Sequence, residues 1–425
     1  MTFRNKRSIV SWCFYDWGLS AFASVIITFV YAVYFGRGIV GDETLGAAKW
    51  SFAIAVSGGL IALTSPVLGA VADYFGACKP WIILFTALNA AATALLYFGM
   101  PHGSAGNIFL VLSLLVLANV AHEMAQVFNN ALMPHLAPAD RIGRISGWAW
   151  GMGYAGGMTC LVLSLVLLVG IGKQAPLLPL PTGQSENIRA VGPLVAVWMM
   201  VFMMPLLAFT KDVPRSAMSL GQAVVHGLRQ LKETVQTVGR RGNILKFLVA
   251  SALYRDGLNT LFAMGGIYAA GTFGMGFQDI LIFAIGLNVA AAIGSAGFAF
   301  LDDARGSKVT ILISLIGLLL TGCAVLLAQD KVMFTGIAMV MGLFIGPVQA
   351  ASRTMAARIS APEHVGQTFG LYALTGRVAS FFGPAAYGVA VLVFSTQRAG
   401  MATILLFWLA GLVILWGVKE NQRDQ

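Results

Sequence analysis

Charged residues are scarce in this chain: Asp, Glu, Lys and Arg make up 10% of its 425 residues, whereas 58% are hydrophobic. Soluble globular proteins are usually about 25% charged, so this chain has too little polar surface to cover itself in water. Apolar runs of about 20 residues, the length that crosses roughly 30 Å of hydrocarbon, recur from end to end. The short alternating segments of a membrane barrel are missing. The composition therefore predicts an all-α polytopic membrane protein.

Cysteine and the motifs of catalysis are equally sparse. The four cysteines, at positions 13, 78, 160 and 323, are scattered singly. None forms a pair with metal-site spacing, so we interpret them as small packing residues. The sequence has no phosphate-binding Gly-x-x-x-x-Gly-Lys-Ser/Thr, no metal cluster and no cofactor motif. We therefore expect no enzymatic activity, no catalytic residue, no metal and no cofactor. Without an ATPase of its own, the chain would take energy from an ion gradient or the solute gradient.

The net charge of +10 does not indicate nucleic-acid binding, because the basic residues lie in the links between apolar segments. With the N-terminus inside, the inner links and tails hold 19 Lys and Arg, the outer links hold 6, and 2 lie in the membrane. This bias predicts that both termini are cytoplasmic. The first apolar run is long enough to be retained as a span. We expect a multi-pass protein of the cell inner (plasma) membrane, or of the vacuolar membrane in a eukaryote.

Twelve spanning segments are predicted, six on each side of a polar stretch. They lie near 9–35, 50–72, 80–100, 107–133, 146–171, 190–210, 244–272, 278–301, 308–328, 331–355, 367–394 and 400–418. We divide the chain into an N-terminal six-helix bundle (1–210), a cytoplasmic linker (211–243) and a C-terminal six-helix bundle (244–425). The linker has apolar residues at spacings of three and four, from Val224 to Val238. That stripe predicts an amphipathic helix at the membrane surface, with a partner-binding helix as the alternative.

The two halves repeat one another in sequence. Tyr15-Asp16-Trp17-Gly18-Leu19-Ser20 in the first segment is nearly copied as Tyr254-Arg255-Asp256-Gly257-Leu258-Asn259 in the seventh. Gln126 and Gln349 occupy matching places in the fourth and tenth segments. The fifth and eleventh open with Gly143-x-x-x-Gly147 and Gly366-x-x-x-Gly370. These pairs indicate a parallel duplication of six helices, as in transporters that work at the interface between repeats.

The link between the second and third segments contains Gly69, Asp73, Gly76 and Lys79. It resembles the signature loop of the major facilitator superfamily, although Cys78 stands where that loop often has its first basic residue. A weaker copy in the second half has Asp303, Gly306 and Lys308, with Ala299 in place of the leading Gly. Gly permits a tight turn and close helix approach, while Asp can cap a neighbouring helix or pair with a base. We predict a cytoplasmic gate here; a simple turn at the membrane edge is the alternative.

A narrower resemblance extends over most of the chain. The blocks that carry it are Tyr15-Asp16-Trp17-Gly18, Phe128-Asn129-Asn130-Ala131-Leu132-Met133-Pro134, Gly151-x-Gly-Tyr154-x-Gly-Gly157, Tyr254-Arg255-Asp256-Gly257-Leu258-Asn259-Thr260, Gly346-Pro-Val-Gln349-Ala-Ala-Ser352-Arg353, and Phe369-Gly370-Leu371-Tyr372-Ala373-Leu374 to Gly383-Pro384. Together they resemble the autophagy-related vacuolar amino-acid effluxer group and its bacterial relatives. Asn129 and Pro347 depart from the group's usual Tyr and Gly. The resemblance implies a twelve-helix carrier of the 6+6 major facilitator fold. It implies amino-acid export in fungal members without fixing this chain's substrate.

Polar residues recur at helical spacing inside the first, fourth, seventh and tenth segments. Lipid cannot satisfy such groups, so they are expected to face a central cavity. The candidate substrate or coupling residues are Tyr15, Asp16, Glu123, Gln126, Asn130, Arg255, Asp256, Asn259, Gln349, Arg353 and Arg377. Structural ion pairing between helices is one interpretation. A proton-carrying acid together with an Arg that clamps a carboxylate or phosphate is the other, and Asp256 is the preferred proton carrier.

The sequence thus predicts a secondary active transporter that moves a small polar solute by alternating access. The solute is expected to be an amino acid or another carboxylate-bearing metabolite, coupled to protons, with sodium left open. A carrier-like receptor or assembly protein that does not transport is the alternative. The bilayer and the solute are the expected partners, the chain is expected to act as a monomer, and no nucleic acid is expected.

Overall fold

The computed structural model describes residues 6–136, 139–170, 175–215, 242–275, 277–361 and 364–420, together with 221–222, 224–225 and 229. Within these residues the chain is built from helices joined by short turns, and no strand occurs. Most of the predicted amphipathic linker helix falls outside the described residues, and its prediction stays open.

The long helices are labelled α1 to α12 in chain order. In the first half they are α1 (Lys6–Ala21), α2 (Glu43–Phe75), α3 (Cys78–Leu95), α4 (Ala105–Leu136), α5 (Ile142–Ser164) and α6 (Val191–Phe209). In the second half they are α7 (Gly242–Phe273), α8 (Phe277–Arg305), α9 (Ser307–Leu327), α10 (Lys331–Ile359), α11a (Val365–Ala379), α11b (Phe382–Phe394) and α12 (Gln397–Trp416).

Shorter pieces extend or connect these helices. After α1 come a π-helix (Phe22–Phe29), a helical turn (Tyr31–Tyr34) and a second π-helix (Phe35–Val40). The others are 3₁₀ turns at Leu96–Phe98 and Ala139–Arg141, a π-helix at Leu165–Val169 and a helical turn at Glu186–Arg189.

Eleven stretches of the described chain are long and apolar enough to cross a membrane. They coincide with the predicted spans apart from the seventh. That span is present as the 32-residue helix α7, but Arg255, Asp256 and Asn259 lower its hydropathy. Large apolar side chains are exposed on the helix surfaces, for example Leu63, Val332 and Leu392. An apolar outer surface fits a protein whose solvent is lipid.

Two compact units account for the fold. One comprises Met1–Ile61, Ala77–Leu132 and Met152–Pro214; the other comprises Ala62–Gly76, Met133–Gly151 and Arg215–Gln425. We refer to them as unit 1 and unit 2. The end of α2 and the start of α5 therefore belong to unit 2, together with the whole second half. The six-plus-six division drawn from the sequence stays a prediction.

Two glycines set the short turns that follow α2 and α8. Gly76 and Gly306 have φ values of 67° and 88°. Such left-handed backbone costs little for Gly and strains other residues. Each turn reverses the chain at once into the next helix, α3 or α9. These are the glycines that the signature loop and its copy contain, so the loop's local shape follows from the sequence.

Candidate transport site and gate

Much of the repeated Tyr…Gly motif serves packing. In unit 1 the Tyr15 hydroxyl lies 2.8 Å from the Thr86 hydroxyl of α3, and in unit 2 the Tyr254 hydroxyl lies 2.6 Å from that of Ser352 on α10. Both rings are fully buried. The motif glycines do equivalent work, since each lies tightly against the last helix of its half. The repeat is therefore in large part a device for joining helices.

Close approach explains why Gly recurs in both copies. A Cβ on Gly18 would lie 2.6 Å from the Phe202 Cβ of α6, and one on Gly257 would lie 2.8 Å from the Trp408 Nε1 of α12. No real Cβ tolerates such distances. Because the Tyr and Gly of each motif serve packing, the charged residues Asp16, Arg255 and Asp256 remain as the motif's candidates for transport.

Asp16 is held inside unit 1. Its side chain belongs to a residue that is 4% exposed, and its Oδ1 accepts a hydrogen bond of 3.1 Å from the Asn129 amide of α4. Trp12 Nε1 donates to the Asn129 carbonyl at 3.2 Å. Asp16, Asn129 and Trp12 thus fix α1 to α4. Asp16 was predicted to take part in substrate binding or coupling, and in unit 1 it is buried.

The polar stripe of α1 forms a helix-packing seam. A Cβ on Gly153 would lie 2.7 Å from the Ser20 hydroxyl, and one on Gly157 would lie 2.5 Å from the Ser24 hydroxyl. Small residues permit such close helix contacts in membranes. The stripe was expected to face an open cavity. In unit 1 its Ser20 and Ser24 pack against glycines of α5, because Ser and Gly together let the two backbones approach.

Asp256 has a different environment in unit 2. Its Oδ2 accepts a hydrogen bond of 2.7 Å from the Gly383 backbone amide, in the first turn of α11b. The residue is 1% exposed, and its Oδ1 is buried without a hydrogen-bond partner. Thr260 is buried beside it, whereas Asn259 is exposed. The predicted shared face of these three residues is thus split between the interior and the surface.

Arg255 turns toward α11a. Its Nη1 donates to the Tyr372 carbonyl at 3.2 Å, and its guanidinium carbon lies 4.1 Å from the centroid of the Tyr372 ring. This geometry combines a hydrogen bond with a cation–π contact. Arg255 and Asp256 therefore contact different parts of the eleventh span: Arg255 contacts α11a, and Asp256 contacts α11b.

The remaining predicted solute contacts are only half-buried. In unit 1 these are Glu123, Gln126 and Asn130 of α4, and in unit 2 they are Gln349 of α10 and Arg377 of α11a. Partly exposed amide, carboxylate and guanidinium groups can exchange water for a solute at modest cost. Among the buried groups of the two motifs, the Tyr15 and Tyr254 hydroxyls and the Asp16 carboxylate have structural partners, whereas Oδ1 of Asp256 has no hydrogen-bond partner.

The predicted gate residue Asp73 caps a helix. Its Oδ1 accepts from the Gly366 amide at 2.6 Å, and its Oδ2 accepts from the Gln367 amide at 2.7 Å. Both amides lie in the first turn of α11a, where the helix dipole is positive and its amides lack helical partners. Ser65 of α2 also donates to the Gly370 carbonyl at 3.2 Å. These contacts join α2 to α11a within unit 2.

Glycine pairs let α2 and α11a touch. A Cβ on Gly69 would overlap the Gly366 carbonyl oxygen, and a Cβ on Gly370 would lie 2.8 Å from the Pro66 Cα. The Gly366-x-x-x-Gly370 pattern is thus explained by backbone contact with α2. Asp73 reaches the first turn of α11a because the contact positions, Gly69 and Gly366, have no side chain to separate the two backbones.

A matching contact joins α8 to α5. Asp303 Oδ1 accepts from the Arg144 amide at 2.9 Å, and Asp303 Oδ2 lies 3.2 Å from Arg144 Nε. A Cβ on Gly147 would lie 2.6 Å from the Ala299 Cβ of α8. Asp303 therefore does for α5 what Asp73 does for α11a, and it adds an ion pair. Both acids of the signature loops cap a helix of the other sequence half.

Arg353 lies at this gate contact. Its Nε donates to the Ser146 hydroxyl at 2.9 Å, and its Nη2 donates to the Ser146 carbonyl at 2.8 Å. Arg353 is 4% exposed. The sequence analysis assigned it to substrate or coupling. In unit 2 its guanidinium binds Ser146 near the start of α5 and so joins α10 to α5.

The sequence comparisons identify the family. The family model described as "Vacuole effluxer Atg22 like" matches residues 46–425. The chain belongs to the Atg22-like family. The uncharacterized MFS-type transporter YxiO of Bacillus subtilis is 24% identical over 421 residues, which cover 97% of this chain and 94% of YxiO. Autophagy-related protein 22 of Cryptococcus neoformans is 24% identical over 309 residues, which cover 66% of this chain and 51% of the fungal protein. The match thus spans about half of that longer relative.

Solved structures show the fold of this Atg22-like chain. The proton:xylose symporter XylE has a TM-score of 0.74 at 12% identity, covering 98% of this chain and 96% of XylE. The human organic anion transporter MFSD10 has a TM-score of 0.73 at 13% identity, covering 96% and 99% of the two chains. The chain therefore has the major facilitator fold, as the signature loop and the repeats indicated.

The bases of the two signature loops have contacts that were not predicted. In unit 1 of the Atg22-like chain, Lys79 Nζ donates to the Leu207 carbonyl near the end of α6 at 2.9 Å. In unit 2, Lys308 Nζ donates to the Trp416 carbonyl at the end of α12 at 2.8 Å. A cation is favourable at a helix C-terminus, where carbonyl groups lack helical partners. Lys79 and Lys308 thus bind helices of their own unit, not the acids of their loops.

An acid after the last helix of each half completes this arrangement. Asp212 accepts from the Lys79 amide at 3.1 Å, and Glu420 accepts from the Ser307 and Lys308 amides at 3.0 and 2.8 Å. They cap α3 and α9, respectively. Sequence analysis missed this repeat of a Lys followed by an acid, at 211–212 and 419–420. The signal was available, because each pair closely follows the last apolar segment of its half.

Sequence analysis also missed Arg358 of α10. Its Nη1 donates to Asp302 Oδ1 at 2.7 Å and to Glu420 Oε1 at 3.2 Å, and its Nη2 lies 3.8 Å from Asp303 Oδ1. Arg358 was counted only as a basic residue of a cytoplasmic link. It connects the gate acid Asp303 to the tail acid Glu420, so the Atg22-like chain has a charge network at this end of unit 2.

Proposed function

We propose that this Atg22-like chain is a secondary active transporter that couples movement of a small polar solute to protons. An amino acid or another carboxylate-bearing metabolite is the solute class we propose. The family description "Vacuole effluxer" and the name of the structurally similar proton:xylose symporter XylE are consistent with solute transport and proton coupling.

The observation that carries the proposal is the environment of Asp256. An ionisable residue within a spanning helix is costly and commonly marks a proton or ion pathway. Asp256 is buried at 1% exposure, accepts one backbone hydrogen bond and keeps Oδ1 unpaired. Asp16, by contrast, accepts a hydrogen bond from a side-chain amide. Asp256 is therefore the better proton carrier, and a bound sodium ion is the alternative occupant.

Solute recognition is assigned to the half-buried polar residues. Arg377 can pair with a carboxylate in two parallel hydrogen bonds, the geometry that guanidinium groups favour. Within unit 1, Gln126 and Asn130 offer amide donors and acceptors to a polar solute, and Glu123 offers a charge for an amino group. Within unit 2, Gln349 offers a further amide. These side-chain types favour a charged solute over an uncharged sugar.

Alternating access is assigned to the helix caps made by Asp73 and Asp303. These caps hold α2 to α11a and α8 to α5, so they must break when this end opens. The bias of Lys and Arg places this end, and both termini, on the cytoplasmic side. We accordingly propose an inner (plasma) membrane location with cytoplasmic termini and a monomeric transporter.

The proposal is tested in proteoliposomes that hold the purified chain. A panel of amino acids and other carboxylates is offered with and without an imposed pH gradient. Wild-type protein is expected to accumulate one class of solute uphill when the gradient is present. Asp256→Asn is expected to lose uphill accumulation and to keep exchange of solute across the membrane, because the solute groups are intact and the proton site is gone.

Asp279→Asn is the matched control. Asp279 forms an ion pair of 2.7 Å with Lys331 outside the candidate site, and both side chains are well exposed. Its variant is expected to transport like the wild type. Uphill accumulation by Asp256→Asn at the wild-type level would remove Asp256 from the coupling role. Absence of any solute exchange across the panel would overturn the transport proposal, and accumulation that follows sodium alone would replace the proton.

A further inference from the structure

The eleventh span is divided into two helices, and two adjacent residues of α7 contact both parts. α11a ends at Ala379 and α11b begins at Phe382. Arg255 donates to the Tyr372 carbonyl of α11a, and its Nη1 would lie 2.8 Å from a Cβ on Gly376, in the last turn of that helix. Asp256 accepts from the Gly383 amide of α11b. The dipeptide Arg255-Asp256 therefore straddles the break.

The signs of the two charges match the two helix ends. The last turn of α11a presents the negative end of a helix dipole, and the first turn of α11b presents the positive end. Arg255 lies against the former and Asp256 against the latter. Such interactions are strengthened where water is excluded. The fifth span, which is the repeat counterpart of the eleventh, continues unbroken as α5 from Ile142 to Ser164, and the first motif carries Asp16-Trp17 where the second has Arg255-Asp256.

α11a connects this break to the gate. Its first turn is capped by Asp73, and its last turn lies against Arg255. The helix has 15 residues, about 22 Å at 1.5 Å per residue. A short, regular helix moves as one body. A displacement of the last turn of α11a at the break therefore also displaces its first turn, which Asp73 caps.

The position of Gly383 shows how tightly the break is fixed. A Cβ on Gly383 would overlap the Thr260 hydroxyl and lie 3.1 Å from the Asp256 Cγ. Arg377 lies shortly before the break on α11a, Tyr372 lies against Arg255 on the same helix, and Tyr387 lies one turn after Gly383 on α11b. Arg398 is in the first turn of α12. α12 presents Trp408 to this part of α7. The unpaired Oδ1 of Asp256 is the place where a proton can be added without breaking an existing hydrogen bond.

We propose that Arg255 and Asp256 form a clamp across the break in the eleventh span, and that neutralising Asp256 weakens the clamp and thereby loosens the Asp73 gate through α11a. The clamp follows from the contacts alone. Only the identity of the neutralising ion, a proton, rests on the proposed function. Asp256 would then govern the gate as well as carry charge.

The test measures gate opening in the absence of solute and of any gradient. Ser65 is buried and faces Gly370 across the gate, so Ser65→Cys reports separation of α2 and α11a. The background replaces the exposed Cys323 by Ala, and the other cysteines are buried. The rate of N-ethylmaleimide alkylation is followed in lipid nanodiscs at one pH. Asp256→Asn, which mimics the neutral acid, is expected to raise that rate roughly five-fold, the effect of losing one charge–dipole contact.

Three further variants make the result decisive. Asp73→Asn breaks the gate directly and serves as the positive control for the reporter. Asp16→Asn removes the buried acid of the first motif, which accepts a hydrogen bond from Asn129 of α4 within unit 1, and is expected to leave the reporter rate unchanged. Gly383→Ala displaces the clamped amide and is expected to raise the rate as Asp256→Asn does; it carries the test if the Asn variant does not fold.

The outcomes separate the clamp from the transport proposal. A wild-type alkylation rate in Asp256→Asn or Gly383→Ala, while Asp73→Asn raises the rate, would overturn the clamp. An equal increase in Asp16→Asn would also overturn it, since any lost buried acid would then loosen the gate. A failed transport assay leaves these rates untouched, because no solute takes part in them.

Discussion

Replacing Asp73 by Asn removes the charge from the cap of α11a while keeping the size of the side chain. Asp73 accepts from two backbone amides, of Gly366 and Gln367, and Asn has one acceptor oxygen to offer. One of the two hydrogen bonds and the charge–dipole attraction are therefore lost. A charge at a helix terminus contributes up to about 2 kcal/mol in partly buried geometries, and a helix cap about 1 kcal/mol. We expect the closed gate to lose about 1–2 kcal/mol, equivalent to about a 5–30-fold larger open population.

Alkylation of Ser65→Cys measures that population. When the gate opens and closes faster than the reagent reacts, the alkylation rate follows the equilibrium open fraction. Asp73→Asn is then expected to raise the rate about 5–30-fold. Asp212→Asn is the matched control, because Asp212 caps α3 within unit 1, whereas Asp73 caps α11a. A rate within two-fold (on the order of experimental scatter) of wild type for Asp73→Asn would refute the assignment of Asp73 as the gate cap. So would an equal rise in the Asp212 variant.

Two stability predictions concern packing and the C-terminal tail. Glu420→Ala is expected to lower the melting temperature, with a loss of about 1–2 kcal/mol, because Glu420 caps α9 and binds Arg358. Truncating Asp140, whose side chain is 71% exposed, should leave it unchanged, and equal melting of the two variants would contradict the cap. Gly257→Ala is expected to lower the melting temperature because its Cβ would meet Trp408, whereas Gly265→Ala in the same helix has open space and should not destabilise. Thermal unfolding in detergent measures both pairs, and an equal loss in both glycine variants would contradict the packing argument.

Local features of the chain were predictable because they depend on local physics. The spans follow from the length and hydropathy of each apolar run, and the turns at Gly76 and Gly306 follow from glycine's access to positive φ. The repeated motifs predicted matching roles for equivalent helices, and the buried hydroxyl contacts of Tyr15 and Tyr254 are an example.

The partners of the charged residues depended on distant parts of the chain. Asp73 and Gly366 are 293 residues apart, and no periodicity links Arg358 to Glu420 or Arg353 to Ser146. The polar stripe of α1 is a clear case. Its spacing is the same whether it faces water or the glycines of α5, and only the packed unit decides between them.

The sequence by itself predicted a polytopic membrane protein with repeated motifs and an unusual acid in its seventh span. Its apolar lengths, its Lys and Arg distribution and its repeated motifs each act over one helix or one link. The tertiary structure decided that Asp16 holds two helices together while Asp256 meets the first turn of a broken helix. The physical reason is that a buried carboxylate takes its role from the donor that reaches it, and that donor is chosen by helix packing.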